Sequence, residues 1–332
     1  MVCLLTRRAF IAALGGAAAW PLAGHAQQRE PMRRVGVLIQ WPENDPRARA
    51  VVAALGEALA NFGWVEGKNI RIDYRFAAGG NPTLYKGYAA ELVGLSPDAI
   101  LASTTPGLAA VREQTRTIPI VFVNVSDPLD QGFVQSLARP GGNITGFTDS
   151  DAPVLGKWLQ LLKDVAPSVT RVAVIFNPGN PALDLYNRAI EAAAPSLGVT
   201  VTLAPVHDDA GIEEAITAHA REPNGGLIVL PSAFNATRED AIAAAAVRHR
   251  LPLISGVAVT RAGGLMSYWI DAVAPYTQAA PYIDRILKGA SPADLPVQQP
   301  TKYKLIVNLK TANTLGLTVP PAMLDLADEV IE

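Results

Sequence analysis

Residues 118–146 read IPIVFVNVSDPLDQGFVQSLARPGGNITG, and this stretch decides the fold. Ile118, Ile120, Val121, Phe122, Val123 and Val125 form a short, nearly unbroken β-prone run. A strand with one face in water alternates apolar and polar residues. An unbroken run suits a central strand of a parallel sheet, covered on both faces. Asn124, Ser126 and Asp127 then bring polar groups together, and Pro128 ends the strand. Asp127 is thereby placed just past the strand's carboxyl end, where open α/β sheets bind ligands. By residue type alone, an Asp here more often just caps a turn. The spacing over 131–139 predicts a short amphipathic helix, stopped by Pro140-Gly141-Gly142, with another short β-prone segment at 143–147.

Strand and helix patterns alternate on both sides of this stretch. Residues 35–39 (VGVLI) read as a strand followed by a polar loop, 40–46. A helix over 47–62 carries Val51, Val52, Leu55, Leu59 and Phe62 on one side and stops at Gly63. Residues 69–76 alternate Ile70, Ile72, Tyr74 and Phe76 as a strand. A helix near 83–95 and a strand at 99–102 lead to Ser103-Thr104-Thr105-Pro106, which opens a helix with hydroxyls and an early Pro.

The second half repeats the plan. RVAVIF at 171–176 mirrors 34–39, and the loop 177–181 (NPGNP) mirrors the first loop. Helices are expected at 182–197 and 210–220, and strands at 199–203 and 226–230. PSAFN at 231–235 mirrors 103–106, an Ala-rich helix runs to about 249, and 251–254 mirrors the central strand. Two similar βα halves joined near residue 148 predict two doubly wound α/β lobes of parallel sheet with a cleft between them. The boundaries read as lobe one over 33–148 and lobe two over 149–256. A return crossover follows at 257–267, then a segment at 268–332 shared between the lobes. Lobe two opens with a helix at 151–166, capped by Asp149 or Asp151. There Trp158 falls among Leu155, Leu159 and Leu162 at core spacing. A helix at 272–289, a strand at 304–308 and a last short helix after Pro320-Pro321 complete the chain.

Residues 1–26 read as a cleaved export segment rather than structure. TRRAFI at 6–11 fits the twin-arginine pattern, an apolar stretch runs from Ile11 to Leu22, and Gly24-His25-Ala26 offers a cleavage site. The apolar run is too short for a membrane span of ~20 residues. Cleavage leaves 306 of 332 residues, removes Cys3 (the single cysteine) and takes the formal net charge from −2 to −4 by removing Arg7 and Arg8. The exported chain therefore relies on its core and not on disulfides, although the periplasm would allow them. No basic stripe points to nucleic acid.

The motifs of nucleotide binding, of H-E-x-x-H metalloenzymes and of G-x-S-x-G hydrolases do not occur in this sequence. His207, His219 and His249 lack metal-ligand spacing, so neither cofactor nor metal is expected. The strand ends instead supply a polar and aromatic set. Lobe one offers Gln40, Trp41, Ser103, Thr104, Thr105, Ser126 and Asp127. Lobe two offers Asn177, Asn180, Ser232, Phe234, Asn235, Ser255 and Gly256, and Trp269 follows the crossover. Hydroxyls and free N–H groups at a helix start can hold a carboxylate. Asp127 can neutralise an ammonium, and Trp41, Phe234 and Trp269 can stack on a ring. Such a set suits a zwitterionic amino acid.

SDP…G…SLARPGGNITG resembles the signature of the periplasmic solute-binding proteins of ABC importers. The resemblance extends from about Arg33 to the C-terminus, including LKGASPADLPVQQPTKYKLIVNLKTANTLGLTVP at 287–320. It implies a type I-like periplasmic binding fold and lobe closure on a small solute such as an amino acid, in a family that includes binders of tryptophan and other aromatic amino acids. It also implies delivery by a monomer to an ABC permease and its ATPase. Trp269 departs from the family, which commonly shows Gly after Leu-Met-Ser-Tyr, and the loop 40–45 is also unusual. A membrane-receptor sensor, or a periplasmic enzyme using Asp127 as base, are the readings from other classes.

Overall fold

The computed structural model describes residues 32–332 except 78–80, 150–152, 179–182, 257–258 and 272. The expectations for 1–26, Asp151 and Asn180 lie outside the described residues. Arg33–Glu332 form one compact unit built on two sheets.

The first sheet is parallel throughout and is ordered β2-β1-β3-β4-β5. Its strands are β1 (Arg33–Ile39), β2 (Ile70–Phe76), β3 (Ala99–Ser103), β4 (Ile120–Val125) and β5 (Ile144–Thr148). Period-two side chains feed two cores. Val35, Val37, Ile39, Ala99, Leu101, Val121 and Val123 pack on one face, and Leu38, Ile100, Ala102, Ile120 and Phe122 on the other. This is why the run around residue 120 carries no polar alternation. The second face is covered by α2 (Pro82–Gly94) and α3 (Thr105–Gln114). The first is covered by α1 (Pro46–Ala60) and, from far along the chain, α9 (Ala274–Leu287).

The second sheet is ordered β12-β11-β10-β9-β8-β6-β7. It holds β6 (Arg171–Phe176), β7 (Thr200–Pro205), β8 (Gly225–Val229), β9 (Leu253–Ser255), β10 (Met266–Trp269), β11 (Lys304–Asn308) and β12 (Glu329–Ile331). The order β7-β6-β8-β9 repeats β2-β1-β3-β4, so the internal repeat seen in the sequence is a repeat of topology. β11 runs antiparallel to β10 and, with β12, closes that edge. One face is covered by α4 (Pro153–Val165) and α5 (Leu183–Ala193), and the other by α6 (Asp209–Ala220) and α8 (Glu239–Arg248). Helix α7 (Ala233–Ala236) is a single turn, and α10 (Leu309–Leu315) and α11 (Pro321–Leu326) lie near the C-terminus.

Two expectations are corrected. Residues 131–139 are turns and bends, not a helix. Gly132 adopts φ +65°, the Gln135 N–H donates to Pro140 O at 2.7 Å, and the Ser136 hydroxyl closes its own turn with Arg139. Local side-chain and glycine geometry thus outcompetes the helix. Nor is 257–267 a return crossover. Val259, Leu265 and Met266 are buried in the cores of the second lobe, and Met266 and Ser267 pair in parallel with Ile254 and Ser255. The chain passes to the first sheet only between β10 and α9. It returns at 299–303, after Gln298 has bonded to the edge of β5. With the passage after Thr148, the sheets are joined by three crossings, and the C-terminal strands belong to the second sheet.

Candidate functional site

A buried polar group that lacks a partner is costly, about 1–3 kcal/mol, so a cluster of such groups points to a place that water or a ligand can complete. Among the described residues, eight buried side-chain atoms lack a hydrogen-bond partner. Six of them gather at the carboxyl ends of the strands: Gln40 Oε1, Trp41 Nε1, Ser103 Oγ, Asn124 Oδ1, Asn235 Oδ1 and Tyr276 OH. Gln40 and Trp41 follow β1, Ser103 ends β3, Asn124 lies in β4 and Asn235 in the turn after β8. Tyr276 begins α9, and its hydroxyl lies beside Ser103. Burial, its largest influence, pushes the Tyr276 phenol far above the ordinary tyrosine range, with Ser103 opposing the shift. The seventh, Asn187, is on α5. The eighth, His219, sits elsewhere, behind Gly225.

Backbone strain is concentrated at the same ends. Thr104, Asn124 and Asp127 have φ of 66°, 55° and 45°, and the register of β4 against β5 shifts between Val123 and Val125. Left-handed backbone at non-glycine residues costs of order 1–3 kcal/mol and persists where the surroundings over-determine it. Here it lies at the carboxyl ends of β3 and β4, inside the sheet rather than at its edges.

The expected residues that the structure describes occupy definite places. The Thr105 Oγ1 accepts from the Ser126 N–H at 3.2 Å and is engaged in the fold. The Thr104 hydroxyl meets Tyr85 OH at 3.3 Å. Asp127 is half-buried and accepts from the Asp130 N–H at 3.3 Å, a turn bond. Burial dominates in holding its carboxyl above the usual range, and the charge of Asp130 adds to this. Trp41 lies in the core of the first lobe, with Arg47 5.4 Å above its ring.

In the second lobe, Asn177 donates to Val206 O at 3.1 Å. Ser232 caps α7 through the Asn235 N–H at 3.0 Å, and Asn235 donates to Leu230 O at 2.7 Å. Phe234 carries the Arg238 guanidinium 3.8 Å from its ring centre. Gly256 is a packing residue: a Cβ there would lie 2.6 Å from Trp158 and 2.8 Å from Trp269. These indoles meet edge-to-face at 5.5 Å. Trp158 is fully buried and donates to Tyr268 O at 2.7 Å, while Trp269 remains half-buried.

Sequence reasoning missed Asn124 and Tyr276 among the unpartnered groups at these strand ends. Asn124 had a signal, as the one polar residue inside an apolar strand. Tyr276 had none, because only the fold brings α9 against β3.

Among the described residues, three contacts span the lobes at this end. Arg47 on α1 reaches Glu239 on α8 at 3.2 Å, and Arg188 on α5 reaches Asp130 at 3.9 Å. Ser126, after β4, meets Tyr186 on α5 at 2.6 Å. These contacts bring the carboxyl ends of the two sheets toward one another. No group of three or more His, Cys, Asp or Glu among the described residues could hold a metal ion.

The family described as ABC transporter substrate binding protein matches residues 36–331. A tyrosine-binding protein of Clostridioides difficile (strain R20291) is 26% identical over 294 residues, which is 86% of this chain and 81% of that protein. A conserved domain protein of Vibrio cholerae O1 biovar eltor has the same fold, with a TM-score of 0.83 and 29% identity, over 90% of this chain and 99% of that one. A domain from Streptococcus pneumonia solved in complex with L-Trp gives a TM-score of 0.82 at 24% identity, over the same shares.

Proposed function

The chain belongs to the ABC transporter substrate-binding protein family, and from that premise we propose that it captures an aromatic amino acid between its lobes and hands it to an ABC permease and ATPase. The observation that carries this reading is the convergence of buried, unpartnered polar atoms on the cleft ends of both sheets. Trp41 Nε1, Ser103 Oγ and Tyr276 OH can all donate, which matches a carboxylate. Asp127 supplies the opposite charge for an ammonium, in a half-buried position where the attraction is strengthened. The half-buried Trp269 offers an indole to a ring. The tyrosine-binding relative and the L-Trp complex support an aromatic ligand.

Lobe closure follows from contacts the ligand makes only when both strand-end sets meet it. The contacts between Arg47 and Glu239 and between Tyr186 and Ser126 support a closed arrangement. Residues 1–26 direct a monomer to the periplasm through the twin-arginine route. Changing Arg7 and Arg8 to Lys should therefore strand the chain in the cytoplasm, and normal periplasmic levels would refute the route.

The test of the function is a thermal-shift screen of the mature protein with the common amino acids, followed by calorimetry. A ligand that binds only the folded state raises its melting temperature. L-tyrosine or L-tryptophan should do so. A protein that responds to neither, or only to sugars, would overturn the aromatic reading.

A further inference from the structure

Three buried side chains form a chain of hydrogen bonds between the lobes that needs no ligand. Ser126 donates from Oγ to Asp149 Oδ2 at 2.9 Å, and the same Oγ lies 2.6 Å from Tyr186 OH. A serine has one hydroxyl proton, and the carboxylate takes it, so Tyr186 must donate to Ser126. The relay therefore runs from Tyr186 through Ser126 to the Asp149 carboxylate, and the charge at its end strengthens both bonds.

Its members are fixed by different parts of the fold. Tyr186 is 0% exposed in the core of the second lobe. Ser126 is 6% exposed and tied to the first lobe through Thr105 Oγ1 and Gln131 Nε2. Asp149 is 8% exposed, immediately after β5 where the chain first leaves that sheet, and its N–H donates to Val125 O. Separating the lobes must break the bond between Tyr186 and Ser126 while leaving that between Ser126 and Asp149 intact. The rim pairs Arg47–Glu239 and Arg188–Asp130 are more exposed, with Arg188 and Asp130 two-thirds open to water, so screening weakens them.

We propose that Tyr186 is a positioning residue that sets ligand affinity by latching the second lobe onto Ser126 and Asp149, without touching the ligand itself. The physical basis is population: apparent affinity scales with the fraction of molecules in the binding-competent arrangement. A contact made only in the closed form raises that fraction and slows release. It leaves encounter with the open form unchanged. This latch rests on the reading that the lobes open and close, but not on the identity of the ligand.

The experiment compares mature wild type, Tyr186→Phe and Ser126→Ala. Phenylalanine keeps the ring in its core site and removes only the hydroxyl. Small-angle scattering without any amino acid should give Tyr186→Phe a larger radius of gyration than wild type. With L-tyrosine as the probe, followed by intrinsic tryptophan emission in stopped flow, the variant should dissociate about tenfold faster, the size expected for one hydrogen bond, and associate no more slowly than wild type, because more of it is open. Ser126→Ala should reproduce both changes, and the double variant should open no further than Ser126→Ala, because each removes the one bond of the relay that crosses between the lobes. Should either variant fold poorly, the other carries both measurements. An unchanged radius with an unchanged dissociation rate overturns the latch, as does a lowered melting temperature with neither readout moved. If wild type does not bind L-tyrosine, that part of the ligand reading fails and the scattering comparison still decides the latch.

Discussion

Ser103→Ala separates a ligand-binding hydroxyl from a structural one. The Ser103 Oγ is fully buried at the end of β3, beside the Tyr276 hydroxyl, and makes no hydrogen bond of good geometry. Leaving a buried polar atom unsatisfied costs about 1–3 kcal/mol. Alanine removes that cost and gives up only the dispersion contacts of one small atom, a few tenths of a kcal/mol. The variant should therefore be as stable as wild type or about 1 kcal/mol more stable, a rise of roughly 2–4 °C in melting temperature for a chain of this size. Binding should change the other way. A hydrogen bond to a charged group contributes about 1.5–3 kcal/mol, so affinity should fall roughly 10- to 100-fold. Urea denaturation at pH 7 measures the first quantity, and calorimetry with L-tyrosine and L-tryptophan the second. A variant destabilised by about 1 kcal/mol that binds like wild type would refute the reasoning: the hydroxyl would then be satisfied within the fold by Tyr276.

Asp127→Asn should weaken binding of an amino acid strongly while raising stability at pH 7. Burial raises the folded carboxyl above its unfolded value, so the charged form costs stability as pH rises through that interval. The advantage of Asn should vanish below about pH 4, where both states are protonated; a gap that persists there would argue against the assignment. Gly256→Ala places a Cβ 2.6 Å from Trp158 and 2.8 Å from Trp269. It should lose about 1–3 kcal/mol and shift the tryptophan emission, and an unperturbed spectrum would show that the indoles do not meet at this glycine. Gly146→Ala puts a Cβ 2.1 Å from Phe122 O at φ +154°. It should cost about 3 kcal/mol or more, and wild-type denaturation would refute the β4–β5 pairing.

Most of the architecture was legible because it is written in local patterns. The strand at 120–125 is apolar on both faces because helices cover both sides of its sheet. The repeat of RVAVIF and its following loop marked a second sheet of the same order. The positions of Gln40, Ser103 and Asp127 followed from a general property of such sheets: loops at the carboxyl ends of the strands line the crevice.

Where local chemistry competed with periodicity, the reading of 131–139 failed. An apolar pattern says nothing of a glycine held at positive φ or a serine bonded to its own turn. The destination of 257–269 was equally hidden. LMSYW reads as a strand in either sheet, and only pairing with Ile254 and Ser255 decides between them. Likewise, no spacing in the sequence announces that Tyr276 lies against Ser103, or that Tyr186 meets Ser126 sixty residues away. Secondary structure arises from interactions among near neighbours along the chain, so the sequence by itself determined the two α/β halves and the crevice ends of their strands. Which side chains share the crevice, which polar atoms are left without partners and how the lobes are joined depend on contacts between distant segments, and only the tertiary structure decided those.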